Sequence, residues 1–263
     1  MLQYIFILGI PINMYKLFFF LALASVPVML FALRKEFQFN KRQAALYSSI
    51  TLVFGLIAAW LTASLKRVML GIASGGLYTD TERLRNYGIP IFLPLFLLVY
   101  CSIFKINFLK LTDYIAPCVY SVMTIVKIGC TFWGCCYGEL DEHGIWNSML
   151  GCKTFPVQLY DSISSFFIVI ICLVLLFKVH NKHAGYIYPL GGMLFALTKG
   201  FWESFRVHES VYERSFLETG YTLWQYWLFV LFTACLLWLV IIIYREKRAY
   251  RNIEIKQSSQ WRS

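Results

Sequence analysis

The sequence predicts an all-α, polytopic membrane protein with about seven transmembrane helices. Three observations carry this. The 263 residues are 59% hydrophobic and only 14% charged, where soluble domains carry roughly 25% charged residues. Apolar runs close to the roughly 20 residues that a helix needs to cross a bilayer recur along the whole length. The positive charge falls on alternate loops. The runs make one integral domain, 1–244, followed by a basic tail, 245–263. A formal charge of +10 would suit nucleic acid in a soluble chain. Here its placement beside apolar runs assigns it to membrane topology and gives no nucleic-acid partner.

The spans are expected at 14–33, 44–65, 87–104, 115–136, 161–179, 185–205 and 222–244. The first reads as a span and not as a cleaved signal peptide. No Lys or Arg precedes Lys16, and the run Leu17 to Leu33 exceeds the usual signal-peptide core. Arg34, Lys35, Lys41 and Arg42 fill the first loop, Lys105 and Lys110 the third, Lys178 and Lys182 the fifth. The tail adds Arg245, Lys247, Arg248, Arg251, Lys256 and Arg262, so 14 of the 24 basic residues share one side. Only Glu36, Asp113, Glu246 and Glu254 join them there, and the whole +10 surplus lies on that side. The positive-inside rule places it in the cytoplasm, with the N-terminus outside and the C-terminus cytoplasmic. The opposite loops, 66–86, 137–160 and 206–221, are long, which points function outward. The tail suits anionic headgroups.

Three stretches depart from a plain apolar pattern. The first runs from Lys127 to Gly138 and holds Gly129, Gly134, Cys130, Cys135 and Cys136. Gly134 to Gly138 is a small-xxx-small pattern that reads as helix packing, and Lys127 can snorkel to the interface. The alternative is a functional cation, since charge beside apolar spans is costly. The second is Lys199, Glu203 and Arg206, spaced to form one charged stripe on a helix. It reads as a self-neutralising pair or as a stripe aimed at an anionic headgroup. The third, Thr154 to Asp161, has Pro156 to open a helix. Gln158, Tyr160 and Asp161 then stand at its mouth, as an interfacial anchor or as part of a site.

Cys101, Cys118, Cys172 and Cys235 read as small core residues. Cys130, Cys135, Cys136 and Cys152 gather near the outer face. They lack the usual ligand spacing, so no metal site is expected. A disulfide from Cys152 to Cys135 or Cys136 stays open. No C-x-x-C, nucleophile elbow or phosphate loop occurs. His180 and His183 read as solvated loop residues; His143 and His208 lie on the outer side.

Together these stretches resemble the prolipoprotein diacylglyceryl transferase family over most of the chain. That family has seven membrane helices with the N-terminus outside. Lys127 to Gly138 is similar to its glycine-rich signature, and Phe155 to Asp161 to its His-Pro-x-Gln-Leu-Tyr-Glu. Lys199-x-x-x-Glu203-x-x-Arg206 resembles its Arg-x-x-x-Glu-x-x-Arg helix, and Ile12 to Tyr15 its early tyrosine stretch. Asp113 to Pro117 and Gln225 also fit. The departures are specific. Lys127 and Lys199 stand where the signature has arginine. Asn86-Tyr87-Gly88 replaces His-Gly-Gly, and Cys135 stands at a glutamate position.

The resemblance implies transfer of a diacylglyceryl group from phosphatidylglycerol to the lipobox cysteine of a prolipoprotein, at the outer face of the bacterial plasma membrane and without a cofactor. It implies catalytic roles for Lys127, Lys199, Glu203 and Tyr87. It implies lipid or substrate contacts for Arg206, Tyr15, Gly129, Gly134, Gly138, Gln158 and Tyr160. Because lysine lacks the arginine fork, two further readings stay open: transfer with another head group or acceptor, and a non-catalytic lipid-binding protein of the same fold.

Overall fold

The computed structural model describes residues 3–7, 10–76, 84–179, 184–208, 216 and 219–260. His180, His183, Lys182 and Arg262 of the charge map lie outside them. Among the described residues seven α-helices form the body: α1 Met14–Leu33, α2 Lys41–Ala73, α3 Ile89–Phe104, α4 Phe108–Trp133, α5 Val157–Val179, α6 Ile187–Glu203 and α7 Leu223–Gln260. Two short antiparallel hairpins join them, β1 Tyr4–Ile7 with β2 Ile10–Asn13, and β3 Leu140–Asn147 with β4 Cys152–Thr154. The first leads into α1 and the second closes the α4–α5 connection. Six of the helical segments are long and apolar enough to cross a membrane. The chain is a multi-pass membrane protein. α6, with 17 residues, is the short one; at 1.5 Å per residue it covers about 26 Å of a hydrocarbon core of roughly 30 Å.

The outward faces are apolar, as lipid demands. Phe20, Trp60, Val99, Ile103, Phe167, Phe229 and Val230 are all more than half exposed. α4 is the central helix. Two-thirds of its apolar window (67%) is buried, against 22–39% in the other spans. It packs on α1 and α5, and Gly129 permits the first contact: a Cβ there would stand 2.9 Å from Phe18 Cβ.

Buried polar groups pin the two ends of the bundle. Asp113 of α4 accepts from the backbone N–H groups of Gly185 (2.6 Å), Ile187 (3.0 Å) and Tyr188 (3.3 Å). It thus caps α6, which has no side-chain cap of its own. The expectation that Asp113 is a loop charge is therefore revised; it is fully buried. At the opposite end Gln3 donates to the Trp133 carbonyl at 3.2 Å. There Gly138 also bridges Arg206 in antiparallel fashion.

Four boundaries differ from the sequence expectation, the first being the start of α4 at Phe108 and not at 115. α2 continues to Ala73, so Lys66, placed in an outer loop, is a helical residue only 2% exposed. The fourth span ends at Trp133 because Gly134 takes φ 91° and caps the helix. Gly134 to Gly138 is thus a turn, and the helix-packing reading of that pattern falls. α7 runs past Tyr244 to Gln260 as one helix, so no break in structure marks the start of the tail.

Candidate active site

Lys127 lies six residues before the end of α4 and is 5% exposed. It does not snorkel. Its ammonium lies 3.1 Å from Asp161 of α5. The same carboxylate accepts from Lys199 of α6. An i,i+4 step then brings Lys199 to 3.8 Å from Glu203. Glu203 lies 3.6 Å from Arg206 Nη1 and 3.4 Å from His208 Nε2. Tyr87 joins from the turn before α3: its hydroxyl donates to Glu203 at 2.6 Å and accepts from Arg206 at 2.9 Å. Its ring lies under both lysines, 5.9 Å from Lys127 Nζ and 5.0 Å from Lys199 Nζ.

Three helices and two loops thus meet in one buried network. Asp161 and Glu203 alternate with Lys127, Lys199 and Arg206, so each carboxylate is shared between cations. Buried charge is tolerated where it is paired and hydrogen-bonded in this way.

Beside the network is a cavity of about 1060 Å³, at the top of the usual range for ligand pockets. Phe19, Leu23, Val26, Leu52, Leu93 and Val119 make an apolar wall from α1, α2, α3 and α4. Lys66, Arg85, Lys127, Arg206 and His208 make a basic end, and Tyr15 and Tyr87 also face the cavity. No carboxylate is among the described residues that line it. Trp224 backs the basic end. It stacks on Tyr87 at 4.5 Å and carries Arg85 at 5.3 Å and Lys66 at 6.0 Å from its ring centre.

Family comparison gives this geometry its context. The family model described as prolipoprotein diacylglyceryl transferase matches residues 3–243, nearly the whole chain. The chain belongs to the prolipoprotein diacylglyceryl transferase family. Comparison with curated proteins returned no match. A diacylglyceryl transferase family is a transferase family of lipoprotein biosynthesis, working on lipoprotein substrates in a membrane-lipid setting.

The residues that the resemblance nominates divide into five groups. Lys127, Arg206, Tyr15 and Tyr87 line the cavity. Lys199 and Glu203 stand behind Tyr87, in the buried network and outside the cavity wall. Gly129, Gly134 and Gly138 set backbone geometry. A Cβ on Gly134 would lie 2.5 Å from Asn147 Oδ1, and one on Gly138 2.8 Å from the Phe205 carbonyl. Tyr160 faces away: it is sandwiched in an aromatic ladder between Phe155 (5.3 Å) and Trp202 (4.9 Å). Gln158 is 1% exposed and its Oε1 has no hydrogen-bond partner.

Lys66, Arg85 and Trp224 are the site residues that sequence reasoning missed, and Asp161, placed at the helix mouth as anchor or site, was not matched to the lysines it meets. Asp161 carried a signal, as an acid opening an apolar run. Lys66 and Arg85 looked like loop charges, and Trp224 fell inside the apolar span expected at 222–244.

All eight cysteines are free thiols, so neither open pairing of Cys152 is formed. The expectation of no metal site rested on sequence spacing. The fold overrides that spacing, because the sulfurs of Cys130, Cys135 and Cys136 lie within 4.8 Å of one another. Hydrogen bonds from the Cys130 and Cys135 thiols, helped by the Arg206 and Lys127 charges, hold Cys136 well below the usual thiol range. The donating Cys135 is pushed up.

Proposed function

We propose that this protein transfers a diacylglyceryl group from phosphatidylglycerol to the lipobox cysteine thiol of a prolipoprotein, in the bacterial plasma membrane with the cavity toward the outer face. The observation that carries the reading is the shape of the cavity's chemistry: one end basic, the rest apolar, among four membrane helices. A phospholipid has the complementary build, an anionic phosphate on two acyl chains. Val119, Val122, Val126, Lys127 and Cys130 of α4 border the same space, so the wall runs about 16 Å along that helix.

Lys127 and Arg206 hold the phosphate. The glyceryl C–O bond breaks as the acceptor sulfur attacks carbon, and negative charge grows on the departing glycerol phosphate. Fixed cations aimed at that charge stabilise the transition state more than the ground state. Asp161 fixes Lys127, Glu203 fixes Arg206, and Lys199 ties the two carboxylates together. The Tyr87 hydroxyl donates to Glu203 and accepts from Arg206, so it positions the guanidinium and does not serve as the base.

The test is complementation of a conditional lipidation-deficient strain, with mass analysis of a model prolipoprotein. The parent chain is expected to add one diacylglyceryl group. Lys127→Ala is expected to abolish the addition while folded protein is retained; Lys127→Arg is expected to keep or raise it, because the guanidinium restores bidentate phosphate binding. An inactive parent that still binds phosphatidylglycerol would assign the chain a lipid-binding role instead.

A further inference from the structure

The transfer reading leaves three cavity-lining groups without a task, the thiols of Cys130, Cys135 and Cys136. Cys130 stands near the end of α4, and the turn after Gly134 brings the other two sulfurs to within 4.8 Å of it and of each other. Cys136 takes φ 63° to do so. A side chain other than glycine enters that left-handed region at a cost of about 1 kcal/mol or more, and such residues cluster at functional sites.

We infer that Cys130, Cys135 and Cys136 hold a thiophilic divalent cation of the zinc class, with a fourth coordination position open to the acceptor thiol in the cavity. Zinc–sulfur bonds of about 2.3 Å put sulfurs about 3.8 Å apart in a tetrahedral site. The observed spacing is within about 1 Å of that, a distance that side-chain rotation covers. Three thiolates select a soft ion. Three protein ligands with an open position are the arrangement of catalytic zinc, whereas structural sites are closed by four.

The surrounding charge fits a metal–thiolate centre. A dication with three thiolates carries a net charge of −1, and a fourth thiolate makes it −2. Lys127 and Arg206 line the same cavity and offset that charge. A lone dication beside these two residues would be repelled, so binding and loss of the thiol protons go together.

This assignment rests on the transfer reading and supplies its missing step. The acceptor S–H loses its proton to water on coordination, since a metal-bound thiol is deprotonated outright. The sulfur then attacks the glyceryl carbon. The C–S bond forms as the C–O bond breaks, and the electron pair leaves on the phosphate oxygen. The product thioether is neutral and a weaker ligand, which frees the position. No side-chain base is needed where Tyr87 stands in place of the family's histidine.

The experiment uses the full chain, purified in detergent from zinc-replete cells. Elemental analysis is expected to find about one zinc per chain. After chelation, added Co²⁺ is expected to give a thiolate-to-cobalt charge-transfer band. Cys130→Ser and Cys135→Ser should each weaken metal binding at least tenfold, and Cys152→Ser should leave it unchanged. Should a serine variant fail to fold, alkylation of the wild-type thiols gives the same answer: bound metal should protect three of them, and chelation should expose them. Zinc below about one-tenth per chain with no cobalt band overturns the inference. So does a disulfide joining two of the three in unreduced protein. Transfer that persists in chelated, metal-free protein overturns it too and leaves the proposed function standing. Stoichiometric metal in a chain that transfers nothing supports the site and overturns the transfer reading.

Discussion

Asp161 binds two lysines from different helices, Lys127 of α4 and Lys199 of α6, and is 2% exposed. Asp161→Asn keeps the shape and removes the charge that both cations need. Breaking a buried ion pair from one side typically costs 3–5 kcal/mol, because the partner is left buried and uncompensated. We expect roughly that loss in stability, read as a lower thermal unfolding midpoint in detergent, together with loss of transfer. An unchanged midpoint would show that the two ammonium groups find other partners. The exchange of arginine for lysine at 127 and 199 belongs to the same scale. Lysine reaches one carboxylate oxygen as a point charge, and both lysines converge on the same Oδ2 of Asp161. A planar fork would engage two oxygens.

Asp113 shows how one buried side chain docks an element. It supplies from α4 the cap that α6 lacks, through three backbone N–H groups. α6 carries Lys199 and Glu203, so its axial position sets theirs. Asp113→Ala leaves those donors unsatisfied in a buried place, at about 1–3 kcal/mol for each. The expected outcome is a drop in stability of at least about 2 kcal/mol and lower transfer, although Asp113 lies at the end of the bundle away from the cavity's basic groups. Asp113→Asn keeps an acceptor and should recover part of both. Equal hydrogen-exchange protection of α6 in wild type and Asp113→Ala would refute the capping role.

Among the described residues the body is seven helices with α4 at the centre, and the proposed orientation follows from the charge placement. Arg34, Lys35, Lys105 and Lys178 lie at helix ends on the side of the α5–α6 turn that Asp113 holds. The β3–β4 hairpin and Arg206 lie on the other. A reporter fused after Tyr250 is expected to read as cytoplasmic, and one inserted near Asp141 as external. The reverse readings would put the basic end of the cavity on the inner face and separate it from an exported acceptor.

Composition and charge placement determined the membrane class, the helix count and the three unusual stretches. These properties are local or cumulative along the chain, so a sequence displays them. Helix ends were less legible, because Gly134 stops α4 by its φ and Lys66 stays inside α2 through burial. Neither fact is carried by a hydropathy window. The site itself was half visible. Lys127, Lys199, Glu203 and Arg206 announced themselves as charges in or beside apolar runs, but which of them meet was decided only by tertiary structure. Asp161 lies 34 residues from Lys127 and 38 from Lys199, and Tyr87 reaches Glu203 across 116. The three sulfurs are the sharpest case. Their sequence spacing fits no ligand motif, and one residue in the left-handed region after a glycine cap brings them together. Pairing across helices depends on where α4, α5 and α6 cross, and packing sets those crossings.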